Sequence, residues 1–212
     1  MDAEVFRAWI VSVTEVIEAN RDHLTQLDAA IGDADHGINL ARGFTAVLGA
    51  FDAAPAKTAT PGAILTLTGN TLISKVGGAS GPLYGTAFRR AGKSLGDAAD
   101  VDLPALSAAL DAALAGVQQL GAAREGDKTM VDALAPATRA FSEAIAAGAS
   151  QDDALTTLAE AARAGAVATI PRQALKGRAS YLGPRSVGHE DPGAVSTALI
   201  LGALRDVARV RR

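Results

Sequence analysis

Apolar residues recur every three or four positions through most of this 212-residue chain. Side chains at that spacing share one side of an α-helix, so the pattern predicts helices that each bury one face. No segment gives a convincing strand pattern. We therefore expect an all-α fold of about eight amphipathic helices in a single domain spanning residues 1–212.

Composition indicates how these helices pack and excludes some classes of partner. Hydrophobic residues make up 49% of the chain but aromatic residues only 4%, so small side chains must build the core and let helices approach closely. The net charge of −3 provides no basic field for a nucleic acid. No apolar run reaches membrane-spanning length and the N-terminus lacks a signal-peptide pattern, so we expect a cytoplasmic protein without a membrane partner. The absence of cysteine excludes disulfides and thiolate ligands.

The most acidic stretch, residues 27–39, lies between two helical patterns. The first helix is expected to end near residues 20–23, which would place this stretch in a turn before the next helix. Its carboxylates belong to Asp28, Asp33 and Asp35. Glycines inside the stretch would allow the bend that brings the carboxylates together, and Mg²⁺ prefers such oxygen ligands. The plainer alternative is that the aspartates only cap the following helix.

Three other segments could contact an anion. The glycine-rich residues 77–82 precede a helix expected at 83–95, and they could hold a phosphate with Ser80 donating a hydrogen bond. A tight interhelical turn is the alternative. Residues 121–130 place Lys128 at a helix start, either in a site or in a solvated cap. The irregular residues 171–193 contain Arg178 and other cations that suit a nucleotide, or that only aid solubility.

Together these segments resemble one family, the nucleotide-binding L subunit of dihydroxyacetone kinase. The resemblance rests on four motifs in the same order, which begin with Gly-Asp-Ala-Asp-His-Gly and continue with Gly-Gly-Ala-Ser-Gly-Pro, Gly-Asp-Lys-Thr-Met and Gly-His-Glu-Asp-Pro-Gly. They lie in residues 28–39, 77–86, 126–132 and 188–194. The resemblance covers nearly the whole chain.

The resemblance implies an antiparallel eight-helix barrel with a nucleotide at one end. It assigns Asp28, Asp33 and Asp35 as ligands of two Mg²⁺ ions that assist phosphoryl transfer, with no covalent nucleophile. It also implies a set of residues that line the site of ADP or ATP: His36, Gly37, Ile38, Asn39, Ala79, Ser80, Gly121, Met130, Arg178, Asp191, Pro192 and Gly193. One departure is Ala34, where the family often has glycine. It should cost little if that residue needs no positive φ.

The implied activity is that of a kinase subunit, a phosphotransferase of the phosphoenolpyruvate-dependent type. A phosphohistidine M subunit of the sugar phosphotransferase system would recharge a retained ADP. The nucleotide would then pass the phosphoryl group to dihydroxyacetone on a separate K subunit. In single-chain relatives, ATP is instead an exchanged substrate. Metal and donor groups supply most of the catalysis in such transfers.

Several alternatives stay open. The chain could be an ATP-exchanging kinase subunit for another short ketose or a fatty-acid-kinase-like nucleotide domain. Other classes are a helical dimetal hydrolase of ADP-ribose links and a non-catalytic interaction module. A homodimer is compatible with the sequence, and the donor and the ketose are not determined by it. Roles for Lys75, Lys128, Arg185 and His189 are also open, and Arg211 and Arg212 are expected to form a frayed tail.

Overall fold

A computed structural model describes residues 1–210, and in that range the chain forms nine α-helices and two 3₁₀ segments without a β-strand. The helices are α1 (Ala3–Ala19), α2 (Arg21–Ile31), α3 (His36–Ala53), α4 (Pro61–Lys75), α5 (Ser80–Leu95), α6 (Leu103–Gly121), α7 (Val131–Ala146), α8 (Gln151–Val167) and α9 (Pro192–Val210). The 3₁₀ segments are Pro55–Thr58 and Arg178–Ser186. The all-α expectation is confirmed, while the expected tail at Arg211 and Arg212 lies outside the described residues.

Eight of these helices close into a ring. From α3 to α9 each helix packs on the next, and α1 closes the ring by packing against both α3 and α9. The remaining helix, α2, lies against α3, α9 and the second 3₁₀ segment. The expected antiparallel eight-helix barrel is confirmed, with α2 as an additional helix at one end.

The expectation that the acidic residues 27–39 lie in a turn is wrong for the first of its aspartates, Asp28. Helix α1 does end at the expected place, before Asn20. However, a second helix, α2, begins immediately after Asn20 and spans Arg21–Ile31. Its buried residues are Leu24, Asp28 and Ile31, spaced four and three positions apart. Asp28 therefore sits on a helix that buries it, while Asp33 and Asp35 lie in the short turn between α2 and α3.

Helices α4 and α5 approach each other unusually closely because glycines face each other across their contact. A Cβ added to Gly69 would lie 2.5 Å from the carbonyl oxygen of Gly85, and one added to Gly85 would lie 2.7 Å from that of Gly69. The same holds at Gly92, where a Cβ would lie 2.6 Å from the oxygen of Gly62. No side chain fits between these backbones, so any larger residue would push the helices apart.

The core of the ring consists mainly of alanine, leucine and valine. Four of its aromatic residues pack together: Trp9 contacts Phe6 and Phe88 at centroid distances of 5.9 Å, and Phe44 contacts Phe88 at 6.1 Å. Within residues 1–210 no helix is both long and apolar enough to cross a membrane.

Candidate functional site

A cavity of about 340 Å³ opens at the end of the ring where four alternate helices begin. These helices are α3, α5, α7 and α9, which start at His36, Ser80, Val131 and Pro192. Three of these starting residues, His36, Ser80 and Pro192, were predicted site residues. All four line the cavity. A helix N-terminus presents backbone N–H groups and a positive dipole end, so four of them favour an anion there.

The cavity wall contains most of the predicted site residues from all four motifs. On it lie Asp28, Asp33, Asp35, His36, Ala79, Ser80, Gly121, Met130, Arg178, Asp191, Pro192 and Gly193. The structure does not bring Gly37, Ile38 and Asn39 to the wall. Gly37 packs on the backbone of α2, Ile38 is half exposed, and the Asn39 side chain accepts a hydrogen bond from Arg42 at 2.7 Å.

The three predicted metal ligands converge. One carboxylate oxygen from each of Asp28, Asp33 and Asp35 lies within 4.8 Å of the others. Asp28 is buried, while Asp33 is exposed and Asp35 half-buried. The Oδ2 atom of Asp28 accepts hydrogen bonds from the backbone N–H groups of Asp35 at 2.8 Å and His36 at 3.1 Å. Asp28 thus caps α3 across the turn, whereas the Asp35 side chain, one of the expected caps, makes no capping bond.

The turn that brings the carboxylates together depends on two residues. Gly32 leaves room for Asp28, because a Cβ there would lie 2.0 Å from Asp28 Oδ1. Ala34 has a φ of 63°, in the left-handed region. The alanine was expected to cost little stability only if this position needed no positive φ. Because φ is positive, Ala34 carries backbone strain that a glycine would not.

The carboxylates fit Mg²⁺, which takes hard oxygen ligands and shares its remaining positions with water and phosphate. The two N–H bonds to Asp28 use only Oδ2, so its Oδ1, which lies beside Gly32, accepts neither of them. Both ring nitrogens of the neighbouring His36 have other partners, Ser80 and Ser196.

A chain of polar side chains runs from the cavity into the core. His36 Nδ1 lies 3.1 Å from Ser80 Oγ, and its Nε2 lies 2.9 Å from Ser196 Oγ. The Tyr84 hydroxyl continues the chain at 2.7 Å from Ser196 Oγ and 2.8 Å from Thr197 Oγ1. Burial lowers the pKa of His36 to about 4, so the imidazole is neutral near pH 7. The chain ties α3, α5 and α9 together behind the cavity.

The glycine-rich loop is shorter than expected. Helix α5 begins at Ser80 instead of residue 83, so Ser80, Gly81 and Pro82 form its first turn. Ala79 precedes this turn without a capping side-chain bond, and Gly78 has a φ of 64°. The uncapped first turn of a 16-residue helix thus opens on the cavity. Backbone N–H groups in that position suit a phosphate oxygen.

The segment 171–193 contributes another part of the wall, through residues 176–179 and 191–193. Arg178 Nε lies 3.1 Å from Asp33 Oδ2, which joins this segment to the acidic turn. Asp191 caps α9 by accepting the backbone N–H of Ala194 at 2.7 Å. Burial is the main cause that raises the pKa of Asp191 to about 7, and the nearby Asp132 and Asp28 add to it. Asp191 therefore stabilises the start of α9, whose first residue is Pro192.

The sequence did not single out several residues of the cavity wall. Leu83, Val117, Ala123 and Lys176 line it as well. Leu83 and Val117 carry the ordinary signal of a helix face, which gives no indication that the face ends at a cavity. Lys128 was expected in a solvated cap or in the site. It lines the cavity and is buried, with its side-chain nitrogen bonded to backbone carbonyls, so it does not lie in a solvated cap.

The remaining residues of open role lie off the wall. Lys75 contributes a backbone carbonyl to Arg42 at 3.3 Å, and His189 contributes one to Lys128 at 2.6 Å. Neither side chain lines the cavity, and the same is true of Arg185.

These features define a class of protein, a helical-barrel domain. One end of its ring carries the acidic turn, the glycine-rich loop and four helix N-termini, and the cavity there suits an anion together with a cation. The DAK2 domain model matches residues 30–206. The ADP-binding DhaL subunit of a phosphoenolpyruvate-dependent dihydroxyacetone kinase from Listeria innocua is 41% identical, over 92% of each chain. The corresponding Escherichia coli subunit is 40% identical over 95% of each chain. The chain therefore belongs to the DAK2 family, among the DhaL subunits of dihydroxyacetone kinase.

Larger proteins contain a similar domain. The rat triokinase/FMN cyclase is 38% identical over 90% of this chain, which spans 32% of that protein. The C. freundii dihydroxyacetone kinase in complex with AMP-PNP and Mg²⁺ matches 97% of this chain with a TM-score of 0.69 and 30% identity. This chain spans 34% of that kinase, or about a third of its length.

Proposed function

We propose that this chain, as one domain spanning residues 1–212, is the nucleotide-binding phosphoryl-transfer subunit of a dihydroxyacetone kinase. The observation that carries the proposal is the convergence of Asp28, Asp33 and Asp35 within 4.8 Å at a cavity where four helices begin. The DhaL relatives are named as ADP-binding, and the related C. freundii kinase was solved with AMP-PNP and Mg²⁺.

Asp28, Asp33 and Asp35 would together hold two Mg²⁺ ions. When bound, Mg²⁺ neutralises the charge on the phosphates and polarises the transferring group. Asp28 has a second task, because its Oδ2 fixes the first turn of α3 through the N–H groups of Asp35 and His36. This arrangement keeps the carboxylates in place before any ligand arrives, which lowers the cost of organising the site.

The other groups on the wall suit the nucleotide. The uncapped start of α5 offers backbone N–H groups and Ser80 to a phosphate. Arg178 brings a guanidinium to the same region, where it already pairs with Asp33 at 3.1 Å. Leu83, Val117 and Met130 form an apolar part of the wall, which suits a base.

Transfer from such a site requires partners that bring the donor and the acceptor. A separate K subunit would hold dihydroxyacetone, and a phosphohistidine M subunit would recharge the bound ADP. Large apolar side chains are exposed around the cavity end of the barrel: Ile38, Ile73, Leu120, Leu175 and Tyr181. Exposed apolar side chains at one end of the barrel favour a protein partner there.

A second candidate function is an ATP-exchanging kinase subunit for another short ketose. It is favoured by the 38% identity to triokinase/FMN cyclase, whose name implies a triose substrate. A helical dimetal hydrolase of ADP-ribose links would share the acidic site but would not need the uncapped start of α5 beside it.

Calorimetry with ADP and Mg²⁺ tests the proposal. We expect Mg²⁺-dependent ADP binding that falls at least tenfold in Asp35→Asn, while Asp111→Asn, an exposed aspartate on α6, binds as the wild type does. Unchanged affinity in Asp35→Asn would contradict the metal site. ADP that survives gel filtration supports a retained cofactor, whereas rapid exchange with free ATP supports the second candidate.

A further inference from the structure

The most unusual buried group outside the proposed metal site is the side chain of Lys128. It is 1% exposed and, within residues 1–210, forms no ion pair. Its Nζ instead donates to four backbone carbonyl oxygens, of Thr169 at 2.9 Å, Arg172 at 3.1 Å, Ser186 at 2.7 Å and His189 at 2.6 Å. An ammonium group has three N–H donors, so the four carbonyls share them and the charge is fully solvated by backbone dipoles.

The four carbonyls belong to the two ends of one irregular segment. Residues 169 and 172 are at its start and residues 186 and 189 at its end, so one ammonium joins both ends of a loop of about twenty residues. Few apolar contacts hold the segment between them. Tyr181 is 89% exposed and Leu175 53%, while Ala174 is buried.

This loop carries one wall of the cavity. Its residues 176–179 line the cavity, and Arg178 pairs with Asp33. Its end leads into Asp191, whose backbone N–H donates to Thr169 Oγ1 at 2.9 Å. Lys128 itself lines the cavity, as do Thr129 and Met130 after it. Its ammonium, which donates to four backbone carbonyls, therefore links three parts of the site.

The backbone at Lys128 indicates that its side chain is needed. Its φ is 61°, a left-handed conformation that costs most residues free energy and that glycine or asparagine would adopt more easily. A lysine held there by four hydrogen bonds compensates for that strain. Burial lowers its pKa, while the carboxylates of Asp191 and Asp132 act in the opposite direction and favour the charged form.

We propose that Lys128 is a positioning residue for the nucleotide cavity, because it closes the loop of residues 169–189 and so places Arg178 and Asp191 in the wall. Binding of a nucleotide and closure of the loop then stabilise each other. This second statement rests on the proposed function, whereas closure of the loop by Lys128 does not.

The test compares Lys128→Met, which keeps the length but removes the donors, with Lys93→Met, an exposed lysine on α5 away from the cavity. Limited trypsin digestion followed by mass spectrometry reports cleavage after Lys176, Arg178 and Arg185. We expect Lys128→Met to retain its helical circular dichroism, to be cut in the loop at least tenfold faster and to bind Mg²⁺–ADP at least tenfold more weakly. Lys93→Met should match the wild type in all three measurements.

The chain has no cysteine, which permits a rescue experiment. Lys128→Cys, unfolded, alkylated with 2-bromoethylamine and refolded, regains an ammonium at nearly the original length. We expect this protein to recover slow loop cleavage and ADP affinity, which a purely steric effect of Lys128→Met would not predict. Failure of the ammonium to restore either property overturns the proposal, as does a folded Lys128→Met that behaves like the wild type.

If the variants do not fold, hydrogen exchange on the wild-type protein decides. The amides of Ala174 and Gly188 bond within the closed loop, to Ser186 Oγ at 2.9 Å and to the Ile170 carbonyl at 2.8 Å. Mg²⁺–ADP should slow their exchange at least tenfold, and unchanged exchange with ADP bound overturns the proposal. A wild-type protein that binds no ADP contradicts the proposed function instead, and loop cleavage without nucleotide still tests Lys128.

Discussion

Asp28 Oδ2 lies 2.8 Å from the backbone nitrogen of Asp35, so a side chain from the end of α2 holds the turn that leads into α3. The same carboxylate belongs to the acidic trio proposed to hold Mg²⁺. A single residue thus connects the stability of the turn with the chemistry of the cavity. Two substitutions at this position separate these roles.

Asp28→Asn should weaken Mg²⁺-dependent ADP binding at least tenfold with little loss of stability. An amide oxygen can still accept the two backbone N–H groups but carries no charge for a metal. Asp28→Ala should lose both the ADP binding and the stability of the turn. Its free energy of unfolding should fall by about 1–3 kcal/mol because the N–H groups lose their acceptor. Calorimetry and urea unfolding check the two effects. Equal destabilisation in both variants would argue against this division.

Gly32→Ala should also abolish most metal-dependent binding, because the new Cβ would lie 2.0 Å from Asp28 Oδ1 and displace it. Crowding of this kind costs about 1–3 kcal/mol in stability. The matched control is Gly49→Ala on α3, where no atom lies within 4 Å of the new Cβ. It should stabilise the helix by about 0.5–1 kcal/mol, since alanine favours a helix interior. Titration with Mg²⁺ and ADP distinguishes the two variants.

Ala34→Gly should stabilise the protein. The alanine has a φ of 63°, and relief of this left-handed strain outweighs the greater freedom of glycine in the unfolded chain by about 0.5–1 kcal/mol. Ala29→Gly, at an exposed position inside α2, should instead destabilise by about 1 kcal/mol. Urea unfolding of both variants measures the difference. A destabilised Ala34→Gly would mean that the turn tolerates alanine without strain.

The dependence of stability on pH should reveal two opposed titrations. Burial lowers the pKa of His36 from 6.5 to about 4, so the stability it contributes is present above pH 6.5 and is lost as pH falls towards 4. Burial raises the pKa of Asp191 from 3.8 to about 7, so its contribution is present below pH 3.8 and is lost as pH rises towards 7. Over pH 4–6.5 the two slopes oppose each other, and the wild-type profile should be nearly flat.

Asp191→Asn should expose the slope of His36. In metal-free buffer its free energy of unfolding should rise by about 3 kcal/mol between pH 4 and pH 6.5, at about 1.4 kcal/mol for each unit of pKa shift. His36→Gln should show the reverse slope, because only Asp191 then titrates. Urea unfolding at five pH values in this range gives both profiles. Parallel profiles for Asp191→Asn and the wild type would contradict the opposed titrations.

Much of the barrel could be predicted because each helix of the ring buries one regular face. Helix α2 could not, since its 11 residues bury only Leu24, Asp28 and Ile31, and one of these is charged. Its polar composition resembles a loop, and Asn20 suggests an end. Tertiary packing against α3 and α9 makes it a helix. The acidic residues were identified from the sequence, but their support on a buried helix face was not.

The assembly of the cavity depended on the resemblance, because spacing alone cannot bring residues 28, 80, 130 and 191 together. They meet because alternate helices begin at the same end of a closed ring. The burial of Lys128 had no sequence signal at all. Its four carbonyl partners lie 41 to 61 positions away, and backbone acceptors carry no residue identity. Such contacts can only be found once the chain is folded.

The glycine contact between α4 and α5 gives the two sides of the cavity different mechanical properties. Backbones that meet without side chains between them resist sliding, so the start of α5 is mounted on a stiff hairpin. The other side is a loop whose two ends are joined by the Lys128 ammonium and by the backbone bond between Gly188 and Ile170. Ligand entry and release should therefore proceed on the loop side. Substitutions there should alter dissociation rates, while those in the hairpin should alter phosphate selectivity.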